Sequence, residues 1–506
     1  MPRPNILLIT ADQWRGDSLG IAGHPVVKTP NIDRLAGEST YFTRHYAQAT
    51  PCAPARACLY TGLYQMTNRV VRNGTPLDDR HDNIARMVRR AGYDPTLFGY
   101  TDQAIDPRTT SGDDPRLNTY EGILPGFTER LSLVESGLPW LSWLKSRGHD
   151  IPANPTDLFL PASGPSERPS NAPARYGRDE TLAAFLTGEF LRWLDERRGG
   201  EPWFAHISFL NPHPPFVVPE PFNTMYDPDL GSPFACAADP VAEGRQHPML
   251  DHRLRKDKRS PSHIIGAGDG LVADWDEADF RTIRATYWGM ISEVDAQLGR
   301  LFDGLRSGGA WDDTLIVLTA DHGEMMGDHF SLGKFGYFDP SYHIPLIVRD
   351  PARPAGFGKR IEAFTEAVDL VPTIMDAAGL EIPDHLDGHS LSPFLDGSAP
   401  MDWRQRVHWE YDFRGWAADL GRPIESCSMS VIRDDRFKYV HFADWPPLLF
   451  DLSADPGELT NFAEDPDFRD TRLDKAEALL SWRARHLDRR LTAIELTSEG
   501  PVVSPR

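Results

Sequence analysis

Asn5-Ile6-Leu7-Leu8-Ile9-Thr10-Ala11-Asp12-Gln13 is an apolar run that stops abruptly on two polar side chains. It is too short for a helix of useful length and does not alternate. That suits a strand buried on both faces, as in a parallel sheet covered by helices. The same design recurs far downstream, where Leu315-Ile316-Val317-Leu318-Thr319 leads into Asp321-His322-Gly323. Ligands of doubly wound sheets gather beyond the carboxyl ends of the strands. Asp12 and Gln13 are therefore expected to meet Asp321 and His322 around one divalent ion.

Working outward, Pro95–Tyr100, Trp203–Leu210 and Ile344–Val348 read as further strands, separated by stretches of helical period. Asn31–Ala36 follows Pro30 and opens a short helix, and Ile84–Ala91 is helical up to Gly92. A long helix is expected from near Asp274, with Glu277 at capping-box spacing and Gly308-Gly309 as its stop. Its apolar positions Ile283, Tyr287, Ile291, Val294, Leu298, Leu301 and Leu305 step by three and four. A helix at Asp369–Ala378 continues the alternation. After about residue 400 the pattern changes to short antiparallel strands at Val407–Phe413, Ser428–Ile432, Phe437–His441 and Leu448–Leu452. Asp434-Asp435 marks a hairpin tip, a terminal helix is expected around Ala476–Leu491, and the tail from about Thr497 reads as loose. Stretches 103–175 and 223–272, rich in Pro, Gly and Asp, read as ordered insertions that wall the active-site mouth or meet a neighbouring subunit.

Composition narrows the function. The 506 residues are 40% hydrophobic and 25% charged, ordinary for a globular chain of this size. A formal charge of −21 argues against a nucleic-acid partner, and any anionic substrate must be drawn to a local cationic site. No run approaches the roughly 20 apolar residues of a membrane span. The first apolar run lacks a small-residue cleavage site, so a cytoplasmic location is expected. Four scattered cysteines make no disulfide framework. Cys58, Cys236 and Cys427 read as buried thiols.

The fourth cysteine has company. Cys52-Ala53-Pro54-Ala55-Arg56 precedes an expected helix Arg56–Tyr64, whose positive end and guanidinium favour a negative oxygen at position 52. Two carboxylates, an amide oxygen and an imidazole balance a divalent cation while leaving it Lewis acidity. The histidine tilts the choice from calcium toward manganese, iron or zinc, with manganese preferred. Lys334 and His213 are candidates to bind a substrate's non-bridging oxygens and to protonate its leaving group. Asn73, with Asn68 as a rival, can hydrogen-bond the nucleophile or substrate. His24, His45, His81 and His343 lack such context and are assigned structural roles.

These residues resemble the formylglycine-dependent sulfatase superfamily. The marks are Asn5–Gln13, Thr29–Ala36, the C-x-P-x-R box at Cys52, Ala320–Glu324 and the Leu449–Asn461 segment. Gln13 and His322, where many sulfatases carry Asp and Asn, look most like the phosphonate monoester hydrolases and their arylsulfatase relatives. The resemblance implies an alkaline-phosphatase-like α/β fold with a mixed, mostly parallel sheet over residues 1–395. A smaller C-terminal antiparallel sheet and terminal helix fill 396–506. It also implies a homodimer or homotetramer, and a maturation enzyme that converts Cys52 to formylglycine, whose hydrate offers two hydroxyls on one carbon. Asp12, Gln13, Asp321, His322 and the modified Cys52 would hold one metal ion, manganese by preference, with calcium or zinc as alternatives. Arg56, Asn73, Tyr100, His213 and Lys334 would line the site. Where many sulfatases have Lys-x-His this chain has Tyr100-Thr101-Asp102; losing that cation suits mono-anionic esters. Asp102 is expected to take the proton of the second hydroxyl as the aldehyde re-forms.

The expected activity is thus hydrolysis of small sulfate monoesters, phosphonate monoesters or phosphodiesters. Two other readings stay open: a phosphatase or phosphodiesterase using an unmodified residue 52, and a non-enzymatic binding protein with a vestigial site.

Overall fold

β1 (Asn5–Ala11) lies inside an eight-stranded sheet with Ile6, Leu7, Leu8 and Ile9 fully buried. The computed structural model describes residues 3–197, 199–259, 270–492, 494–498 and 500–503. The other strands of this sheet are β2 (Thr40–Tyr46), β3 (Pro95–Gly99), β4 (Thr128–Ser132), β5 (Phe204–Phe209), β6 (Thr314–Thr319), β7 (His343–Arg349) and β8 (Lys359–Glu366). Their order is β4-β3-β5-β1-β6-β7-β2-β8. β1 runs parallel to both neighbours, Ile9 pairing with Ile207 of β5 and Leu318 of β6, and β3 runs parallel to β5. Four parallel strands therefore end on one edge. They deliver Tyr100, His213, Asp12 and Asp321 to the same side, as the strand-end rule requires.

β7 is antiparallel to both β6 and β2, which makes the sheet mixed. Three strands lay outside the sequence reading. β2 carries Thr40, Thr43, Arg44 and His45 where a buried strand should be apolar, and β4 and β8 are polar edges. Stretch 103–175 holds β4 and a helix, Leu138–Ser146, besides loops. Of the expected insertion 223–272, residues 260–269 lie outside the described residues.

The long helix spans Glu277–Ser307 and buries all seven expected apolar positions. Its cap is Asp276 with Asp279 completing the box, not Asp274, which closes a short turn before it. The Cys52 helix also differs: it spans Cys52–Thr61, so Cys52 opens the helix rather than preceding it.

The second sheet is a fully antiparallel meander of β9 (Val407–Asp412), β10 (Ser428–Arg433), β11 (Phe437–Phe442) and β12 (Leu448–Asp451). Its hairpin turns at Asp434, whose N–H donates to Phe437 O at 3.0 Å. Lys438 passes from β11 into the larger body and donates to Tyr337 O at 2.9 Å. The terminal helix, Arg469–Arg485, starts and ends earlier than expected. The tail is not loose over its described residues, since Ile494–Thr497 pairs with Gly500–Val503 as a hairpin. Cys58 and Cys427 are buried, but Cys236 is only half-buried. Among the described residues no helix is long and apolar enough to cross a membrane.

Candidate active site

Asp12, Cys52, Asp321 and His322 come together at the edge where β1 and β6 end. One ligand atom from each lies within 4.8 Å of the others, and all four residues are buried. The Cys52 sulfur marks where the oxygens of a converted residue would stand. It lies 3.2 Å from His322 Nε2. His322 Nδ1–H donates to Gly323 O at 3.0 Å, which leaves Nε2 as the open nitrogen facing the cluster.

Arg56 is buried and braces this group. Its Nε donates to Asp321 Oδ2 at 2.9 Å, its Nη2 to Asp12 Oδ2 at 3.2 Å and to Tyr100 OH at 3.0 Å, and its Nη1 to Ser208 Oγ at 2.9 Å. The guanidinium is thus engaged with the two carboxylates rather than open to a substrate. The Tyr100 hydroxyl donates in turn to Asp12. Gln13 takes a left-handed backbone (φ 66°), the sort of local strain that functional sites retain. Its N–H donates to Asp321 Oδ1 at 3.1 Å, its side-chain amide donates to Glu324, and its Oε1 accepts from Lys334.

The helix start is less open than expected. Pro54 has no N–H, and Ala53 N–H donates to Asn73 Oδ1 at 3.0 Å, so Asn73 caps the first turn. Asn68 belongs elsewhere: its amide donates to Leu63 O at 3.0 Å and accepts from Val70 N at 2.9 Å. Gln103, not anticipated from sequence, donates to Ala53 O at 3.0 Å and ties the Tyr100–Asp102 loop to the Cys52 helix. Asp102 is buried with φ 54°. Glu324, Gln103, Ser208 and the buried pair Tyr60–His206, 2.8 Å apart, all support the cluster and were missed. Only Glu324 left a trace in the sequence, as the acid that follows Asp321-His322-Gly323.

The electrostatics fit a cation. Burial raises the Asp12 carboxyl, but the positive charge around it, of which that on Lys334 and Arg56 persists at neutral pH, overcomes it and holds the group well below the usual range. Asp321 is instead pushed up to about 7, by burial first and then by Asp12. Two carboxylates in one dry pocket resist joint ionisation unless a positive ion lies between them. Asp12 Oδ1 is also buried with no hydrogen-bond partner among the described residues. The donor set therefore fits a divalent ion. Burial, then Lys334, lowers His322 and His213 to about 3, so both imidazoles are neutral. His213 Nδ1–H donates to Pro214 O at 2.7 Å. Burial lowers Lys334, but the neighbouring carboxylates of Asp12 and Asp321 outweigh it and keep the ammonium protonated. Burial and Asp12 push the Cys52 thiol well above its ordinary value.

A doubly wound core with this cluster at its strand ends defines the sulfatase class of hydrolases, and the chain belongs to that family. The model described as Sulfatase matches residues 4–380, and one described as N-sulphoglucosamine sulphohydrolase, C-terminal, matches residues 327–485. The chain is similar throughout to the phosphonate monoester hydrolase of Agrobacterium radiobacter, at 54% identity and a TM-score of 0.96 over 100% of both chains. It resembles the phosphonate monoester hydrolase SpPMH from Silicibacter pomeroyi at 40% identity and a TM-score of 0.92, with 99% of each chain covered. The multifunctional alkaline phosphatase superfamily protein PehA of Trinickia caryophylli is 42% identical over 99% of each sequence. The family and fold read from the C-x-P-x-R box and Asp321-His322 are thereby borne out.

Proposed function

We propose that the protein is a metal-dependent hydrolase of mono-anionic esters that works with Cys52 converted to formylglycine. Phosphonate monoesters and phosphodiesters are its favoured substrates, and sulfate monoesters are accepted as well. The observation that carries this reading is the Cys52 sulfur 3.2 Å from His322 Nε2, inside a buried donor set that retains an unpartnered carboxylate oxygen. The names of the relatives at 54% and 40% identity support the phosphonate preference.

A bound divalent ion, manganese by preference, would supply Lewis acidity and, with the converted side chain, an oxygen nucleophile at neutral pH. Asp12, Gln13, Asp321 and His322 would hold that ion, and Arg56 keeps both carboxylates in place. Asn73 and Gln103 fix the first turn of the helix that presents residue 52. Tyr100 contributes a neutral phenol where a second cation would suit a dianion. Lys334 keeps its proton and faces the cluster, so it binds the ester's non-bridging oxygens and is the group able to protonate the leaving oxygen. His213, neutral with Nδ1–H on Pro214 O, leaves Nε2 a bare acceptor, so it donates to a substrate oxygen only once protonated.

Leu473, Leu480 and Leu487 stand exposed at seven-residue spacing on and just after the terminal helix, which supports assembly into a homodimer or homotetramer. A cytoplasmic location and two bodies divided near residue 395 complete the proposal.

Peptide mass spectrometry of the segment bearing residue 52, with parallel kinetics on an aryl phenylphosphonate and an aryl sulfate, tests it. An aldehyde and faster phosphonate turnover are expected. A free thiol in fully active protein, or a Cys52→Ser variant of undiminished activity, overturns the reading.

A further inference from the structure

A cleft of about 480 Å³ opens where the terminal helix and His486 pack against the segment from Asp387 to His408. None of the residues assigned to hydrolysis lines it. The chain carries −21 overall, yet cations gather on this wall. Arg404 is engaged by Asp369, one nitrogen donating at 2.8 Å. Asp387, the acid on the wall, is held by His486 at 2.8 Å, Arg489 at 2.9 Å and Tyr64 N–H at 2.9 Å. It therefore sets no uncompensated negative charge on the cleft.

Arg406 and Arg485 also line the cleft, and among the described residues neither guanidinium has a hydrogen-bond or ion-pair partner. Deeper in, His408 and Trp482 stack with ring centres 4.4 Å apart and planes within 2° of parallel. Both are buried, and each leaves a nitrogen, Nε2 of His408 and Nε1 of Trp482, without a partner. An indole N–H can only donate, and a buried donor without an acceptor is unfavourable. Two free guanidinium forks beside an unused buried donor make a receptor for oxygen anions.

We infer that this cleft is a second anion site, separate from the reaction centre, that takes a small tetrahedral oxyanion of the phosphate or sulfate class. Arg406 and Arg485 supply the charge, in a cleft whose lining includes Trp482 with its unused N–H. The ligand sits at a junction: Tyr64, just past the Cys52 helix, donates through its hydroxyl to Glu366 at 2.5 Å and packs edge-on against Trp482. Occupancy would therefore fasten the terminal helix to the core.

Equilibrium dialysis of the full-length holoenzyme against radiolabelled inorganic phosphate tests the site, with sulfate and chloride as competitors. A second phosphate per subunit is expected, displaced by sulfate and not by chloride. The Arg406→Ala/Arg485→Ala variant should bind it at least about tenfold more weakly at an unchanged hydrolytic rate. Lys334→Ala, altered only at the reaction centre, should keep it. A single phosphate per subunit, lost in Lys334→Ala and untouched in the double variant, overturns the proposal. So does a double variant with unaltered phosphate binding but a smaller mass by light scattering, because the arginines would then join copies of this chain.

Discussion

Gln13 donates its side-chain amide to a carboxylate oxygen of Glu324, and both residues are buried. The other oxygen of Glu324 accepts from Met326 N at 3.0 Å and Gly333 N at 2.6 Å, so the carboxylate cannot turn away. With its nitrogen on Glu324, Gln13 must present its oxygen to Lys334 and the cluster. A glutamine at 324 keeps the two backbone bonds but offers an N–H to Gln13, which favours the reversed amide. Glu324→Gln is expected to weaken metal binding about 10–100-fold without unfolding the protein. Titration against a competing chelator measures it; equal affinity in both proteins would show that the orientation of Gln13 is immaterial.

Arg56 holds Asp321 at 2.9 Å and Asp12 at 3.2 Å through different nitrogens of one rigid plane. A lysine ammonium is a point donor and cannot span both. In Arg56→Lys one buried carboxylate loses its partner, a change that costs about 3–5 kcal/mol when a buried pair is broken. Urea unfolding of the metal-loaded variant should show that loss, along with turnover reduced by about 10²-fold or more. Wild-type stability and rate together would remove Arg56 from the positioning role given to it.

The long helix contains a pH-sensitive group outside the cluster of Asp12, Cys52, Asp321 and His322. Glu293 is buried, accepting from Thr181 Oγ at 2.6 Å and Gln297 Nε2 at 3.1 Å, and burial pushes it up to about 7 despite those bonds. A carboxyl raised on folding contributes stability that is complete below its unfolded pKa and is lost as pH climbs through the folded one. The window is therefore roughly pH 4 to 7. Glu293→Gln keeps the acceptor and removes the titration, so above pH 7 it should be more stable than wild type, by on the order of 2–3 kcal/mol. Unfolding midpoints measured across that window check the sign. A variant whose curve stays parallel to wild type refutes it.

What was legible in the sequence follows from which signals are local. β1 and β6 announce themselves because strands covered on both faces are apolar throughout, and their polar successors Asp12 and Asp321 stand out by contrast. β2 and β8 carry no such signal, since their pairing rests on neighbours far away in the chain. Candidate ligands stand at strand ends, where the sequence marks them, but braces leave no such mark. Glu324, Gln103 and Ser208 are single polar residues in loops or within a strand, and only the fold shows what each one touches. Asn73 was expected near residue 52, and its partner, the Ala53 N–H, depends on where the helix begins. That start was misplaced because Pro54 reads as a breaker, although a first turn tolerates it.

A carboxylate at Asp102 would repel an anionic substrate, and its surroundings give it a different task. No loop amide among the described residues donates to its carboxylate, so it is not held aside by the backbone. Burial, opposed by Arg56, pushes it up to about 7, and its charge reaches the Cys52 thiol. A carboxyl that is half-ionised near neutrality and within electrostatic reach of residue 52 is suited to taking a proton there. Asparagine tolerates the left-handed backbone at this position, so Asp102→Asn removes the base and keeps the loop. The expected result is a turnover number lower by about 10²–10⁴-fold. During catalysis a substrate-derived mass increment should persist on the peptide carrying residue 52. Wild-type turnover with no increment would leave Asp102 a structural role only.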